Sequence, residues 1–240
     1  MRKGIDLKMK IIIVTLKSWN IENANIFKSE YENQHSILII SNKDEFVKEK
    51  VDLFNPDYIF FPHWSYIIPD EIISNYTCVI FHMADLPYGR GGSPLQNLIV
   101  RGHKTTMISA LKATKELDAG PIYMKTELGL EGSAQEIFIR CSNVIFNKMI
   151  PEIINNRPIP IEQRGKSVIF KRRKREDGRL THLMSIDTIY DFIRMLDAEG
   201  YPRAYIEFGR YVIEFENASM NDDSSKEIEA KVRIKEMSER

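Results

Sequence analysis

The chain has 240 residues and a hydrophobic content of 43%, which suits one good-sized domain with a small appendage. Its 34 lysine and arginine residues equal its 34 aspartate and glutamate residues, and this balance argues against a nucleic-acid partner, because nucleic-acid-binding domains usually carry a basic excess. Cys78 and Cys141 match neither a disulfide framework nor a metal-binding spacing.

The N-terminal segment carries no recognisable targeting or membrane signal. It is charged at its start, but the apolar run that follows is too short for the h-region of a signal peptide. No segment of the chain approaches the roughly 20 apolar residues that a transmembrane helix needs. We therefore expect a cytoplasmic protein without a membrane partner.

Short apolar runs alternate with helical patterns through the first two thirds of the sequence. Runs rich in β-branched and aromatic residues predict buried parallel strands at Ile11–Val14, Ile37–Ile40, Tyr58–Phe61 and Val79–Phe81. Helical patterns lie between them, at Ile21–Tyr31 and Asp44–Val51. This order of strand, helix and strand predicts an α/β fold with a parallel sheet and right-handed crossovers.

The last third of the sequence has a different organisation. The capping box Ser133-x-x-Glu136 predicts a long helix that ends at Pro151, and Arg157–Pro160 reads as an extended linker. Beyond it we expect one helix and three strands, at 186–196 and at 167–170, 204–208 and 211–215. The sequence therefore predicts an α/β domain at 1–156, a small α+β subdomain at 157–220, and a charged tail at 221–240 with weak helical spacing.

Two common kinds of cofactor are not expected. The turn after the first predicted strand, Thr15–Asn20, has no glycine, whereas a dinucleotide-binding fold needs glycine there so that the backbone can approach the pyrophosphate. The five histidines show no metal-ligand spacing with each other or with cysteine, so we expect no metal.

His82 and Asp118 are the candidate catalytic residues. His82 directly follows a predicted strand, at the sheet edge where open α/β folds bind ligands, and Asp118 follows a Gly/Pro-rich loop and a further strand. Either residue alone is more often a core or turn residue. The string Leu86-Pro87-x-x-Arg90-Gly91-x-x-Pro94 between them is specific enough to favour an active site.

This part of the chain closely resembles the folate-dependent formyltransferases. Their shared pattern is H-x-S-L-L-P-x-x-R-G-x-x-P, a glycine, a T-x-V-T strand and L-D-x-G, and the matching residues are His82, Leu86, Pro87, Arg90, Gly91, Pro94, Gly102, Thr106, Ser109, Leu117, Asp118 and Gly120. The resemblance covers most of residues 10–160. It implies a Rossmann-like formyltransferase domain that transfers a formyl group from N10-formyltetrahydrofolate, a co-substrate, to an amine without a metal.

The resemblance also implies roles for the two candidate catalytic residues. His82 would stabilise the oxyanion that develops when an amine attacks the formyl carbon, and Asp118 would orient the imidazole. The family places an asparagine two positions before the histidine, where this chain has Ile80. Loss of one oxyanion donor typically costs on the order of 10²–10³ in rate. Asp85 and Met107 also depart from the family pattern.

By the same resemblance, the pterin lies in an apolar slot formed by two segments. The residues expected to bind the cofactor are Trp64, Ser65, Tyr66, Ile67, Leu86, Arg90, Lys115, Glu116 and Leu117. Ordinary loop packing is the competing interpretation for these segments.

The identity of the amine acceptor is suggested by several segments whose sequences most closely resemble those of the amino-sugar formyltransferases. These segments are F-H-M-A-D-L-P-Y-G-R-G-G-S-P at 81–94, F-K-R-R-K-R-E-D-G-R-L at 170–180 and F-I-R-M-L-D-A-E-G-Y-P at 192–202. That branch implies a nucleotide-linked 4-amino-4,6-dideoxy sugar of a pseudaminic-acid-type polysaccharide pathway, with Lys17, Trp19 and Asn20 facing the substrate. A homodimer is left open.

Three alternatives remain at this point. A methionyl-tRNA formyltransferase would share the catalytic half, but only about 80 residues follow the linker here and the chain has no basic excess. A 10-formyltetrahydrofolate hydrolase would use water in place of the amine. A folate-binding pseudoenzyme would explain Ile80.

Overall fold

The structure is a computed structural model that describes residues 8–221 and 226–237. The first seven residues of the predicted 1–156 domain, and residues 222–225 and 238–240 of the predicted tail, lie outside the described part. The chain divides into two compact units that interleave along the sequence. One comprises Met1–Arg90, Met107–Leu128 and Ile139–Val168, and the other comprises Gly91–Thr106, Gly129–Phe138 and Ile169–Arg240.

Eleven strands and seven α-helices are found in the described residues. The strands are β1 (Lys10–Val14), β2 (Ser36–Ile40), β3 (Tyr58–Pro62), β4 (Cys78–His82), β5 (Tyr88–Gly91), β6 (Thr105–Lys112), β7 (Ile122–Gly129), β8 (Val168–Phe170), β9 (Ala204–Phe208), β10 (Tyr211–Asn221) and β11 (Glu227–Glu236). The α-helices are α1 (Ser18–Tyr31), α2 (Lys48–Phe54), α3 (Asp70–Asn75), α4 (Pro94–Val100), α5 (Ala134–Val144), α6 (Ile150–Asn156) and α7 (Ile186–Leu196).

A six-stranded sheet in the order β2-β1-β3-β4-β6-β7 forms the centre of the first unit. Strands β1 to β4 are parallel, and β6 runs antiparallel to β4. The four predicted apolar runs are the cores of these parallel strands, and Ile11–Val14 in β1 is fully buried. Because parallel strands end at the same edge, β1, β3 and β4 bring Val14, Pro62 and His82 to one side of the sheet. The predicted α/β fold is confirmed.

Two predicted helices differ from the observed ones. The helix expected at Asp44–Val51 is a 3₁₀ turn at Lys43–Glu45 followed by α2, because the Asn42 side chain accepts a hydrogen bond from the Asp44 amide and caps the shorter turn. The helix that begins after Ser133 does not end at Pro151. A π-helical turn, Ile145–Met149, leads into α6, where Pro151 lies in the first turn and its missing N–H costs nothing.

The second unit contains a three-stranded antiparallel sheet in the order β11-β10-β9. The predicted hairpin is formed by β9 and β10, in which Ile206 pairs with Ile213. The weak helical spacing expected in the tail is wrong, because the tail forms β11, in which Ile234 pairs with Ile213. From 227 to 234 the tail alternates apolar and charged residues, which is the period of two expected of a strand. Ile228 and Val232 are also four residues apart, so the same segment fits a helical spacing.

Across residues 8–221 and 226–237, no helix is both long and apolar enough to span a membrane.

The buried strand β1 makes the first unit sensitive to lost side-chain volume. Ile12 is fully buried, so Ile12→Ala should lower the free energy of unfolding by about 2–5 kcal/mol through lost burial and the cavity left behind. Leu53→Ala is the matched control, because Leu53 is 88% exposed and the change should stay within about 0.5 kcal/mol. Urea unfolding of the three proteins measures both values, and equal losses would contradict this description of the core.

Candidate active site

His82 ends strand β4 and is held by a backbone carbonyl. The residue is buried, and its Nε2 lies 2.7 Å from the carbonyl oxygen of Gly89. A carbonyl oxygen can only accept a hydrogen bond, so in this geometry Nε2 carries a proton and donates it. The other ring nitrogen, Nδ1, is then the one left for a reacting group.

Asp118 lies beside that second nitrogen. Its Oδ2 is 3.6 Å from His82 Nδ1, and both side chains are buried. Asp118 has a left-handed backbone, with φ at 53°, a conformation that non-glycine residues adopt only where the surroundings hold it. The structure therefore brings together the two candidate catalytic residues, which the sequence separates by a loop and a strand.

Strand β6 supports the pair from the side. Ser109 lies opposite His82 in the antiparallel register, and its Oγ donates to the carbonyl oxygen of Ala84 at 2.7 Å. This bond fixes the chain directly after His82. Lys125 in β7 adds a second anchor, with Nζ 2.5 Å from Asp85 Oδ1 and 2.6 Å from the carbonyl oxygen of Leu86. Asp85, a departure from the family pattern, thus anchors the loop.

Arg90 joins the loop after His82 to the segment that carries Asp118. Its Nη1 donates to Glu116 Oε1 at 3.2 Å, and its Nε and Nη2 donate to Gln163 Oε1 at 3.1 and 2.8 Å. Gln163 was not identified from the sequence, because it follows the proline-rich linker in a stretch without periodicity. Ser109 and Lys125 are further residues at this site, and Ser109 alone carried a signal, as part of the quoted motif.

Seven of the nine residues expected to bind the cofactor lie on two neighbouring segments, 64–67 and 115–117, and the other two, Leu86 and Arg90, lie on the stretch after His82. Trp64 packs against Phe46, Phe61 and Tyr66, with ring centroids 5.2–5.8 Å apart, and its buried Nε1 has no hydrogen-bond partner among the described residues. The Lys115 ammonium lies 3.3 Å from Asp70 Oδ2.

This ion pair brings the 115–117 segment next to the segment after Trp64, and each presents an exposed apolar side chain. Ile67 is 89% exposed and Leu117 is 65% exposed. Ser65 and Glu116 are exposed beside them. These two exposed apolar side chains suit packing against a flat heterocycle.

Lys17, Trp19 and Asn20 lie together where α1 begins, at the same edge of the sheet as His82. The Lys17 ammonium is 5.6 Å from the centre of the Trp19 ring, whose edge faces His63 at 5.7 Å. Trp19 and Asn20 are buried, and Asn20 Nδ2 has no hydrogen-bond partner within the described residues. Trp19 is therefore packed against His63 and leaves little of its ring exposed for stacking.

Ile80 offers no hydrogen bond to this site. It lies opposite Phe61 and Leu111 in the sheet and packs against the same apolar cluster as Trp64. Met107, the other departure, is half-buried in β6. Among residues 8–221 and 226–237, no group of three histidine, cysteine or acidic residues could hold a metal ion.

Comparisons with known proteins identify relatives over both halves of the chain. A family model described as formyl transferase matches residues 20–133, and one described as the C-terminal domain of methionyl-tRNA formyltransferase matches residues 175–235. A solved methionyl-tRNA formyltransferase from Clostridium thermocellum is 55% identical, with a TM-score of 0.92, over 95% of this chain and 99% of that chain.

More distant relatives show how far the likeness extends. The methionyl-tRNA formyltransferase of Campylobacter lari is 30% identical over 179 residues, and the chain spans 58% of the length of that relative and matches it over 73% of its own. HypX from Aquifex aeolicus, solved in complex with tetrahydrofolic acid, is 18% identical with a TM-score of 0.72, over 90% of this chain and 38% of that chain. The likeness to HypX shows the fold alone.

These relatives correct the expected acceptor and partner. The prediction of a nucleotide-linked amino sugar as the acceptor, in a polysaccharide pathway of the pseudaminic-acid type, is wrong. The 55% identical structure and the curated relative are both named for methionyl-tRNA. The exclusion of a nucleic-acid partner is wrong for the same reason. The net charge of zero is a sum over the whole chain, and it conceals the local basic run Lys171–Arg175.

Gly120 closes the turn that presents Asp118, and the structure leaves no room for a side chain there. A Cβ at Gly120 would lie 1.8 Å from the carbonyl oxygen of Lys112, so Gly120→Ala should displace the turn and destabilise the protein. Gly102→Ala is the control, because its Cβ would meet nothing within 4 Å and only its φ of +78° opposes the change, at about 1–2 kcal/mol. Urea unfolding should give the larger loss for Gly120→Ala, and the reverse order would contradict the geometry of the turn.

His63 makes the stability of the site region dependent on pH. Burial, with a smaller effect of the Lys17 charge, lowers the pKa of His63 from 6.5 to about 4. Between these values the unfolded chain binds a proton that the folded chain does not, so acidification through this window destabilises the fold. His63→Asn, which tolerates the φ of 55°, should reduce this acid-induced loss in urea unfolding from pH 6.5 to about 4. An unchanged pH dependence would rule out a buried neutral His63.

Proposed function

The chain belongs to the formyltransferase family, and on this premise we propose that it transfers a formyl group from N10-formyltetrahydrofolate to the amino group of methionyl-tRNA. One observation carries the proposal for the reaction: His82 Nδ1 faces Asp118 Oδ2 at 3.6 Å, with both side chains buried. The acceptor is supported by the name of the 55% identical structure and by the match of residues 175–235.

His82 performs two tasks through one nitrogen. Nε2 keeps its proton because it donates it in a hydrogen bond to the Gly89 carbonyl. The unprotonated Nδ1 of the neutral ring therefore accepts a proton from the attacking amine. The N–H so formed at Nδ1 would donate to the oxygen on which negative charge develops. As the bond between the formyl carbon and N10 breaks, the same proton would pass to N10 of the departing tetrahydrofolate. Proton removal and oxyanion stabilisation therefore meet at the same atom.

Asp118 supports the charged form of that ring. A carboxylate 3.6 Å from Nδ1 attracts the imidazolium, and burial of both groups reduces the screening of this attraction by water. The separation is wider than a hydrogen bond, so the pair interacts through charge rather than through a shared proton. Asp118 thus orients His82 and stabilises its charge.

The two apolar segments fit the folate donor. Ile67 and Leu117 expose apolar side chains, and Trp64, three residues before Ile67, has a buried Nε1 with no hydrogen-bond partner among the described residues. When bound, the donor supplies a formyl carbon that is open to attack by an amine. Arg90 and Glu116 lie on the loops that flank this surface, where their ion pair keeps the two loops together.

Ile80 stands where the family resemblance implies an asparagine, so the site lacks that side-chain donor for the oxyanion. Its side chain packs in the apolar cluster, so His82 has to stabilise the developing charge without that second donor. We expect slower turnover than in an enzyme that has an asparagine there.

The second unit carries a basic surface that suits tRNA phosphates. Four of the five side chains of the Lys171–Arg175 run are exposed, all except Arg173. Arg173 is half-buried; its backbone N–H donates to Ser93 Oγ at 3.0 Å, and its guanidinium donates to the carbonyl oxygen of Asp177. The half-buried Arg173 thus anchors the run while its neighbours remain exposed for contacts with phosphate.

Formyl transfer depends on both members of the catalytic pair. His82→Asn and Asp118→Asn should each lower kcat by about 10²–10⁴, because each removes a group that acts in proton transfer or in its support. His182→Asn, at an exposed position, is the matched control and should keep the wild-type rate. The assay measures formyl-methionyl-tRNA made from 10-formyltetrahydrofolate and methionyl-tRNA.

Two results would contradict the proposal. Full activity in both variants would remove His82 and Asp118 from the mechanism. Consumption of the donor by the wild type at an equal rate with and without methionyl-tRNA, and without a formylated product, would indicate a hydrolase instead.

A further inference from the structure

Gln163 uses the whole hydrogen-bonding capacity of its amide on two loops of the first unit. Its Oε1 accepts from Arg90 Nε at 3.1 Å and from Arg90 Nη2 at 2.8 Å. Its Nε2 donates to the carbonyl oxygens of Asp118 and Gly120, at 2.8 and 2.9 Å. An amide has two donor hydrogens and two acceptor positions, and all four are used here.

The two loops are the ones that hold the candidate catalytic pair. Arg90 directly follows Gly89, whose carbonyl accepts from His82 Nε2. The other loop carries Asp118, whose carboxylate faces His82 Nδ1. One side chain therefore connects the support of the imidazole to the support of the carboxylate.

The Asp118 backbone needs such support. Its left-handed conformation, with φ at 53°, is unfavourable for a residue that carries a Cβ, and it persists only where neighbouring contacts hold it. The donor Nε2 of Gln163 bonds to the carbonyl of Asp118 itself and to the carbonyl two residues later. These two bonds hold the strained residue and the turn that follows it.

We propose that Gln163 is a positioning residue, which holds the Asp118 carboxylate against His82 for formyl transfer. This inference rests on the proposed function. Gln163 acts through the Asp118 backbone and takes no part in the proton transfer itself. A displacement of about 1 Å at a reacting group can cost about 10²-fold in rate, so a small movement of this loop matters.

Two substitutions separate positioning of Asp118 from a tether to Arg90. Gln163→Ala removes all four hydrogen bonds. Gln163→Glu keeps an acceptor oxygen for Arg90, and that acceptor is now negatively charged. It also replaces the N–H donor that faces the two carbonyls with a second acceptor oxygen. If Gln163 positions Asp118, both variants should lower kcat by about 10- to 100-fold with little change in KM for methionyl-tRNA. If the residue only tethers Arg90, Gln163→Glu should keep the wild-type kcat.

Hydrogen exchange tests the same inference without an acceptor. The backbone amides of residues 116–120 should exchange faster in both variants than in the wild type, because the loop loses its two carbonyl bonds. Gln135→Ala is the matched control: it removes another half-buried glutamine, whose Oε1 accepts from the Glu199 amide in the second unit. It should leave both kcat and this exchange unchanged.

The outcomes are distinguishable. A wild type that formylates nothing contradicts the proposed function, and the exchange rates then still decide whether Gln163 holds the loop. A wild-type kcat in Gln163→Glu overturns the inference, as does unchanged exchange in both variants. Loss of kcat and faster exchange in both variants, with neither in Gln135→Ala, supports it.

Discussion

The hydrogen bond from His82 Nε2 to the Gly89 carbonyl is the interaction on which the site depends. At 2.7 Å it assigns the proton to Nε2 and turns Nδ1 toward Asp118. Gly89 has a φ of 83°, which a glycine adopts without strain, so the residue type lets the chain fold back and aim its carbonyl at the imidazole. Arg90 and Gln163 then connect that turn to the Asp118 loop.

The candidate catalytic pair is predictable from the sequence because its signals are local. His82 follows an apolar run that could only be a buried strand, and Leu117-Asp118-x-Gly120 is a short string with fixed spacing. Gln163 could not be identified in this way. Its partners Arg90 and Asp118 are 73 and 45 residues away, and no pattern around it indicates that they meet.

The errors have physical causes of the same kind. Net charge sums over the whole chain, so acidic residues elsewhere offset the Lys171–Arg175 run, and the prediction that excludes a nucleic-acid partner is wrong. The tail from Glu227 to Glu236 satisfies a period of two and a spacing of four at once. Its pairing with β10, which a local pattern does not contain, decides for the strand. A long-range strand pairing therefore decides the structure of the tail, whereas the relatives named for methionyl-tRNA correct the acceptor.

The protonation of His82 tests the account most directly. Nitrogen NMR of the protein labelled with ¹⁵N at histidine, with His82→Asn used to assign the signal, reports which ring nitrogen carries the proton in the neutral form. The account predicts the proton on Nε2, donated to Gly89, with Nδ1 unprotonated beside Asp118. A neutral His82 with its proton on Nδ1 would contradict it, because Nδ1 could then not accept a proton from the amine.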